Sequence, residues 1–352
     1  MRLSPALARL LLTGLALIAA FNLVNRRPVE PPGRTQGSIG DTNLQLRTIE
    51  RISRGEGYYA AVGDELRRNG YPTSPIINWR TPLHYSVIAA LSVPIAGKLL
   101  FLLGIAVVVT GGLAYSTQSA VKACAAGLLL LGAMAPAMLV RPGAVGFPEH
   151  WAAMFIALSL NAYVARLWMT GAALGLTALF IRELSGPYAL VCTLLAFRAG
   201  RRREWKLWVA GGCAYAVYYA IHAYAAVGAI QAGDLVRERS YFQTLGLPFI
   251  FMTLYTNGVM TLLPTYVTPV AAAFGMSALW ADSAQDQLKG SLLLYFILFC
   301  VAGQPFNFYW GYLTSPIWAH AFIHAPEGLG ALVSASRGAS RASESASQSR
   351  QA

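Results

Sequence analysis

Long apolar runs recur along the chain and constrain its fold more than any other feature. Residues 99–115, 123–140 and 151–168 each come close to the roughly 20 apolar residues that a helix needs to cross a bilayer. Of the 352 residues, 56% are hydrophobic and only 12% are charged, whereas soluble domains carry charge on about a quarter of their residues. In lipid every backbone amide must be bonded within its own segment, and these runs lack the alternation of an outer-membrane barrel. The sequence therefore predicts an all-α, polytopic transmembrane protein.

Further apolar runs bring the predicted number of spans to about 8–10. Residues 1–24 carry Arg2 and Arg9 ahead of an apolar run, and we interpret them as a retained first transmembrane helix with a cytoplasmic amino terminus. A cleaved signal peptide is the alternative. The run at 171–197 is interrupted by polar residues at 182–187, which predicts two short helices meeting at a polar apex. Later spans are predicted near residues 207–230, 249–263, 267–280, 292–302 and 309–323.

Residues 25–98 are predicted to form one long periplasmic loop with juxtamembrane helices. Within this loop, residues 82–93 are apolar but too short to span, so they predict a helix at the outer membrane face. Residues 25–80 hold nine basic and six acidic residues, an excess that runs against the positive-inside rule. Loops approaching about 60 residues translocate largely regardless of charge, so the predicted topology stands.

The placement of the basic residues decides what the formal net charge of +12 means. A basic cluster fills one short loop between two apolar runs and comprises Arg198, Arg201, Arg202, Arg203 and Lys206. This position is typical of a cytoplasmic loop, so the cluster indicates topology and we predict no nucleic-acid partner. The four cysteines lie inside apolar runs and indicate neither disulfides nor a metal site.

Ionisable residues in or near membrane segments are candidate site residues, because burying charge in lipid is costly. Asp41 follows the first span, where a carboxylate can take a proton from an attacking hydroxyl or orient a divalent ion. The alternative interpretation is that Asp41 is an aspartate in a solvated loop without a catalytic role. Glu149, with Arg141 and His150 nearby, is either a second carboxylate that faces Asp41 across a cavity or half of an interfacial ion pair.

Arginines and aromatic residues complete the candidate set. Arg182 lies at the polar apex and can hold a phosphate through its fork of donors, unless Glu183 neutralises it. Arg80 and His84 lie near the same face, although a lone histidine there is more often an interfacial hydrogen-bonding residue.

The order of several short motifs carries a family resemblance. Asp41 follows the first span, and residues 54–59 (RGEGYY, with Tyr58 and Tyr59) precede residues 80–85 (RTPLHY). This arrangement resembles the opening of the GT-C glycosyltransferases, multi-spanning enzymes that use polyprenyl-phosphate sugars. It is most similar to the branch that contains the protein O-mannosyltransferases and the lipid A aminoarabinose transferase.

The resemblance continues further along the chain. Glu149 is similar to an acidic residue that opens a later helix of the family, and Arg182 to an arginine that follows a glycine-rich helix. Residues 303–311 (GQPFNFYWG) look like a motif of bacterial relatives. By this resemblance residues 99–206 form a family-like transmembrane module and residues 207–333 a variable carboxyl-terminal module. Residues 334–352 are predicted to be a disordered tail.

The resemblance implies a multi-pass protein of the bacterial inner membrane that transfers a sugar to a periplasmic acceptor hydroxyl. It implies Asp41 as the catalytic base, Glu149 as a second catalytic acid, and membrane lipid and a polyprenyl-phosphate sugar as partners. The donor phosphate would be neutralised by Arg182 or Arg80. The substrate-binding set comprises Arg80, His84, Arg182, Tyr58 and Tyr59. Some relatives need a divalent cation, but the sequence shows no clean ligand cluster, and it does not identify the glycan, lipid or protein acceptor.

Two other functions compete with the glycosyltransferase. In a lipid or small-solute transporter or flippase, Arg141, Glu149, Arg182 and Glu183 would line a pathway, although the sequence shows no internal repeat. The second competing function is that of a noncatalytic subunit of an envelope-polysaccharide system. The enzyme alone requires Asp41, Glu149 and Arg182 around one outward-facing cavity.

Overall fold

The computed structural model describes residues 3–21, 40–139, 142–237 and 240–348. These parts of the chain are helical, and two isolated β-bridges, Ser74 with Val236 and Phe242 with Ala302, are the only extended pairings among them. The predicted all-α class is confirmed. Arg141 and residues 22–39, which include the end of the first predicted span and the start of the first predicted loop, lie outside the described residues.

In chain order, the described α-helices are α1 (Pro5–Ala19), α2 (Gly40–Ser53), α3 (Tyr58–Arg68), α4 (Pro82–Leu91), α5 (Val93–Ser116), α6 (Ala120–Met138), α7 (Pro142–Gly146), α8 (Pro148–Val164), α9 (Trp168–Ile181), α10 (Gly186–Arg198), α11 (Arg202–Ala229), α12 (Gly246–Tyr255), α13 (Thr268–Met276), α14 (Asp286–Val301) and α15 (Gly311–Gln348). Short 3₁₀ helices lie at Ile76–Asn78, Glu183–Ser185, Met260–Leu262, Thr265–Val267, Ser277–Trp280 and Pro305–Trp310.

The long helices run between two ends of the molecule. We call the end that carries residues 40–92 the loop end, and the opposite end, which carries the basic cluster, the basic end. At the loop end, Glu149 at the start of α8 pairs with Arg182, which follows α9. At the basic end, Lys122 at the start of α6 pairs with Glu327 on α15. The described connections at the loop end are residues 40–92, 142–147, 182–185, 230–237, 240–245 and 302–310. Those at the basic end are residues 117–119, 165–167, 199–201 and 277–285.

Small residues let the helices approach closely. A Cβ atom built on Gly258 would lie 2.1 Å from the carbonyl oxygen of Gly132, and one built on Gly311 would lie 1.9 Å from that of Thr253. Only glycine fits such backbone contacts, which are typical of tightly packed helix pairs in membranes. Gly311 thereby fixes the start of α15 against α12, next to the loop end.

Two helices in the described parts of the chain, α5 and α6, are long and apolar enough to cross a membrane. The sequence predicts further spans at residues 249–263 and 267–280, but the helices found there, α12 and α13, have 10 and nine residues. At 1.5 Å per residue each is about 15 Å long or less, against the roughly 30 Å of a bilayer core. Neither helix can cross on its own, because turns and 3₁₀ segments with Pro264 interrupt the apolar run.

Local sequence signals are confirmed where prolines and charges interrupt apolar runs. Pro82 begins the short helix α4 at its first position, and the polar residues 182–185 separate α9 from α10. At the carboxyl end, α15 is described as far as Gln348, and the disorder predicted from Ser334 stays a prediction. Arg9 on α1 donates to the carbonyl oxygen of Ser336 at 3.3 Å, so α1 supports this part of α15.

Candidate functional site

A cavity opens at the loop end and encloses about 830 Å³ of space, including the part open to solvent. Its walls come from α2, α3, α4, the connection between α3 and α4, Arg237, Tyr241 and the 3₁₀ helix Pro305–Trp310. Asp41 is the one carboxylate among the described residues that line it, and Arg80 and Arg237 are the cations. The cavity therefore brings together polar groups that are separated by more than 260 residues in the chain.

Asp41 lies in the first turn of α2, directly after Gly40, whose φ of +70° suits glycine. The hydroxyl of Tyr71 donates to Asp41 Oδ1 at 3.0 Å. Burial and the adjacent Asp41 carboxylate both raise the pKa of Tyr71, because they disfavour the phenolate. The Tyr71 hydroxyl therefore keeps its proton, donates it in the hydrogen bond to Asp41, and holds this carboxylate at the cavity wall.

Arg80 is fixed at both its backbone and its guanidinium. The hydroxyl of Tyr58 donates to the backbone carbonyl of Arg80, and Arg80 Nη2 donates to the Tyr309 hydroxyl at 2.9 Å. Its Nη1 lies 3.9 Å from Glu183 Oε1. Burial by itself would lower the pKa of Arg80, but Tyr309, Glu149 and Glu183 outweigh it and raise the pKa. Arg80 is thus a fixed cation on the cavity wall.

A buried ion-pair cluster lies behind the cavity wall. Arg182 Nε donates to Glu149 Oε1 at 2.8 Å, and the two side chains are 2% and 0% exposed. Arg182 Nη1 also bonds to Glu183, which is the carboxylate nearest to Arg80. Glu149 and Arg182 could each have faced the cavity or formed an ion pair, and the structure shows ion pairs. Both glutamates neutralise Arg182. Neither Glu149 nor Arg182 lines the cavity.

Tyr309 connects Asp41 to this cluster. It bonds directly to Arg80, and its phenol lies within electrostatic range of Asp41, Glu149 and Arg182. Of the three residues that the sequence places around one cavity, the described lining contains Asp41 alone. Asp41 reaches the cavity, whereas Glu149 and Arg182 lie behind its wall.

The remaining predicted residues lie at different places. Tyr58 lines the cavity. The Tyr59 hydroxyl instead bonds to His222 Nδ1 at 3.2 Å, away from the cavity lining. His84 is buried, and its Nε2 lies 3.1 Å from the carbonyl oxygen of Gly146. His84 thus joins α4 to α7, and His150 packs on the Tyr312 ring with 4.3 Å between ring centroids.

Several lining residues were not singled out from the sequence. Arg237 lies over the rings of Tyr241 and Phe306, with its Cζ 5.3 and 4.9 Å from their centroids. Within the described chain, three buried cavity-lining atoms have no hydrogen-bond partner: Gln45 Oε1, Arg237 Nε and Trp310 Nε1. The motif at 303–311 supplied the only sequence signal for this wall, through Phe306 and Trp310. An acceptor and two donors thus remain free for a ligand that carries polar groups.

Candidate metal ligands are few in the described part of the cavity lining. The described residues contain no group of three or more histidine, cysteine, aspartate or glutamate side chains that could hold a metal ion. Within the described lining, Asp41 is the lone carboxylate. A divalent ion there would depend on ligands from its substrate, as when Mg²⁺ is held by one carboxylate and phosphate oxygens.

No protein-family model, curated protein or solved structure matches this chain.

Proposed function

We propose that this chain is a membrane glycosyltransferase of the GT-C type, which transfers a sugar from a polyprenyl-phosphate donor to an acceptor hydroxyl at the loop end. The observation that carries the proposal is the cavity, whose described lining contains a single carboxylate, Asp41, together with the cations Arg80 and Arg237. Base and phosphate-binding groups are the two elements that this transfer requires. The resemblance of residues 54–59 and 80–85 to the family supports the same reaction.

The outer surface of the helices supports a multi-pass arrangement in the membrane. Large apolar side chains on α5, α6 and α11, among them Leu102, Leu113, Leu128, Val217 and Ile221, are more than half exposed. Monomeric soluble proteins rarely expose continuous apolar surface of this extent, whereas lipid covers it without cost. The basic cluster, at the opposite end from the cavity, favours a cytoplasmic basic end and a periplasmic loop end in a bacterial inner membrane.

In this proposal Asp41 is the catalytic base. As the acceptor hydroxyl attacks the anomeric carbon, Asp41 takes its proton, and the bond between sugar and phosphate breaks on the opposite face. Tyr71 donates to Oδ1 and leaves Oδ2 for the acceptor. Attack opposite the leaving group inverts the anomeric configuration.

The leaving polyprenyl phosphate gains negative charge in the transition state, and cations fixed beforehand stabilise such charge best. Arg80 is held by Tyr309 and by the backbone contact to Tyr58. The buried pair of Arg182 and Glu149 acts through Glu183, which lies beside Arg80 and orients it. Arg182 is thus a positioning residue here, and Arg80 is the phosphate-binding residue.

The test measures sugar transfer by the full chain purified in lipid vesicles and offered a panel of polyprenyl-phosphate sugars and hydroxyl acceptors. General-base catalysis contributes about 10²- to 10⁴-fold, so Asp41→Asn should reduce the transfer rate by that factor without changing folding. Glu50→Gln, on the same helix but exposed and paired only locally with Arg54, is the matched control.

The outcomes separate the competing functions. If the native chain transfers no sugar from any donor, the glycosyltransferase proposal fails, and flipping of the same lipids across the vesicle membrane would identify a transporter instead. If Asp41→Asn transfers as fast as Glu50→Gln, the chain is an enzyme with a different base.

A further inference from the structure

Helix α15 carries two fully buried histidines, His320 and His324, one turn apart and in the half of the molecule nearer the basic end. They belong to no part of the cavity lining. Ionisable side chains enclosed between apolar helices are costly and therefore call for a functional explanation.

His320 lies between two hydrogen-bond acceptors. Its Nδ1 is 2.7 Å from the backbone carbonyl oxygen of Pro316, and its Nε2 is 3.0 Å from Asn161 Oδ1 on α8. The orientation of the Asn161 amide follows from its other contact: Nδ2 donates to the carbonyl oxygen of Val107 at 2.9 Å. Turning the amide around would place two oxygens against each other there, so Oδ1 has to face His320.

A neutral imidazole carries one N–H and one lone pair, whereas the imidazolium carries two N–H groups. With carbonyl oxygens at both nitrogens of His320, either neutral tautomer leaves a lone pair facing an oxygen at 3.0 Å or less. Only the protonated ring satisfies both contacts. The surroundings of His320 are therefore complementary to a bound proton.

His324 has a different environment. Its Nδ1 faces Ser283 Oγ at 2.9 Å, and its Nε2 faces the Tyr115 hydroxyl at 3.1 Å. Hydroxyls both donate and accept, so a neutral His324 is fully satisfied. Ser283 in turn contacts Lys122 and Glu327, whose side chains are 21% and 37% exposed at the basic end.

We propose that His320 is a proton-binding site in the helix core. Tyr115 lies beside both histidines, with ring centroids 5.9 Å from His320 and 5.5 Å from His324, but its hydroxyl bonds to His324. Binding adds one N–H bond to the His320 ring at the expense of an O–H bond of hydronium, and no other bonds change. The proposal does not depend on the reaction at the cavity.

The charged and titratable groups around the two histidines are few among the described residues. Tyr115 comes from α5, Lys122 from α6 and Lys289 from α14, whereas α15 itself supplies Glu327. Helix α8 contributes the neutral Asn161. Glu327 is seven residues from His320, or about 10 Å along the helix axis, so it is too far to form an ion pair with a protonated His320.

The test is nitrogen-15 NMR of the full chain with labelled histidines in lipid bilayers between pH 5 and pH 8, with His320 assigned by His320→Gln. We expect both ring nitrogens of His320 to be protonated over part of this range. A neutral ring at every pH would overturn the site.

Two matched variants distinguish proton binding from a merely structural role. Asn161→Leu removes the acceptor at Nε2 and should make His320 neutral across the range. Thr110→Val removes another partner of the same amide, at 2.9 Å from Nδ2, and should leave His320 protonated. Equal behaviour of the two variants would contradict the role of Asn161.

Discussion

Arg182 donates from Nε to Oε1 of Glu149 at 2.8 Å, and the pair is almost completely enclosed. Glu183 shares the same guanidinium, so a single arginine compensates two carboxylates at the start of α8 and the end of α9. The resulting cluster connects the helices to the cavity wall through Arg80.

Arg182→Met should destabilise the protein by about 3–5 kcal/mol, because it leaves buried carboxylates without a partner. Thermal and denaturant unfolding in detergent measure this effect. The double variant Arg182→Met/Glu149→Leu should recover part of the loss, since one unpaired charge is then also removed. A loss below about 1 kcal/mol in the single variant would mean that the site is open to water.

Tyr71→Phe should reduce sugar transfer roughly tenfold while leaving the affinity for the donor unchanged. A hydrogen bond to a charged group is worth about 1.5–3 kcal/mol, and 1.36 kcal/mol corresponds to a factor of ten in rate. Transfer rates at saturating donor provide the measurement. The effect should disappear in an Asp41→Asn background, because Tyr71 acts by holding Asp41; additive losses in the double variant would contradict that role.

Acid should weaken the ion pair between Arg67 on α3 and Asp234, which follows α11. Arg67 donates from Nε to Asp234 Oδ1 at 2.8 Å, and together with the Gln231 amide and Thr73 it lowers the pKa of Asp234 to about 2. The unfolded value is about 3.9, so this contact stabilises the fold fully above about pH 4 and is lost as the pH falls through 2.

The unfolding temperature should therefore fall between pH 4 and pH 2, and Asp234→Asn should make that fall smaller. Asp282→Asn, which changes an exposed aspartate at the basic end, is the control and should leave the profile unchanged. If the native chain and Asp234→Asn had the same acid profile, the Arg67–Asp234 ion pair would not contribute to the stability of the fold.

Cys213 tests the proposed membrane position of α11. Its side chain is exposed, yet it lies 11 residues, or about 16 Å, from the start of the helix at Arg202. In lipid vesicles a charged maleimide should not react with Cys213 until detergent is added, whereas Arg203→Cys should react at once. The comparison uses variants that retain one cysteine each. Equal labelling of both positions in intact vesicles would place α11 in water.

The sequence predicts those features that depend on neighbouring residues. Apolar composition determined the helical class, and Pro82 and the charges at 182–183 marked the start of α4 and the break between α9 and α10. Asp41 could be selected as a candidate site residue because a carboxylate just after the first span can act as a base at the membrane face. The sequence predicts a break between α12 and α13 at residues 264–266, but the break is longer: α12 ends at Tyr255, and turns and 3₁₀ segments occupy the chain up to the start of α13 at Thr268.

Long-range packing accounts for the rest of the site. Arg237 gives no sequence signal as a cavity residue, since it acquires that role only when Tyr241 and Phe306 pack around it. Similarly, the choice between an ion pair and a catalytic carboxylate for Glu149 depends on how α8 packs against α9. Residue spacing carries no information about such a contact.

The cavity has a consequence for biogenesis. Asp41 enters the folded protein with the first part of the chain, whereas Tyr309 and Trp310, which complete the opposite wall, emerge from the ribosome more than 260 residues later. A nascent chain in which only α1–α11 have formed therefore presents the carboxylate beside an incomplete wall. The cavity can enclose a ligand only after Tyr309 and Trp310 have been made and packed.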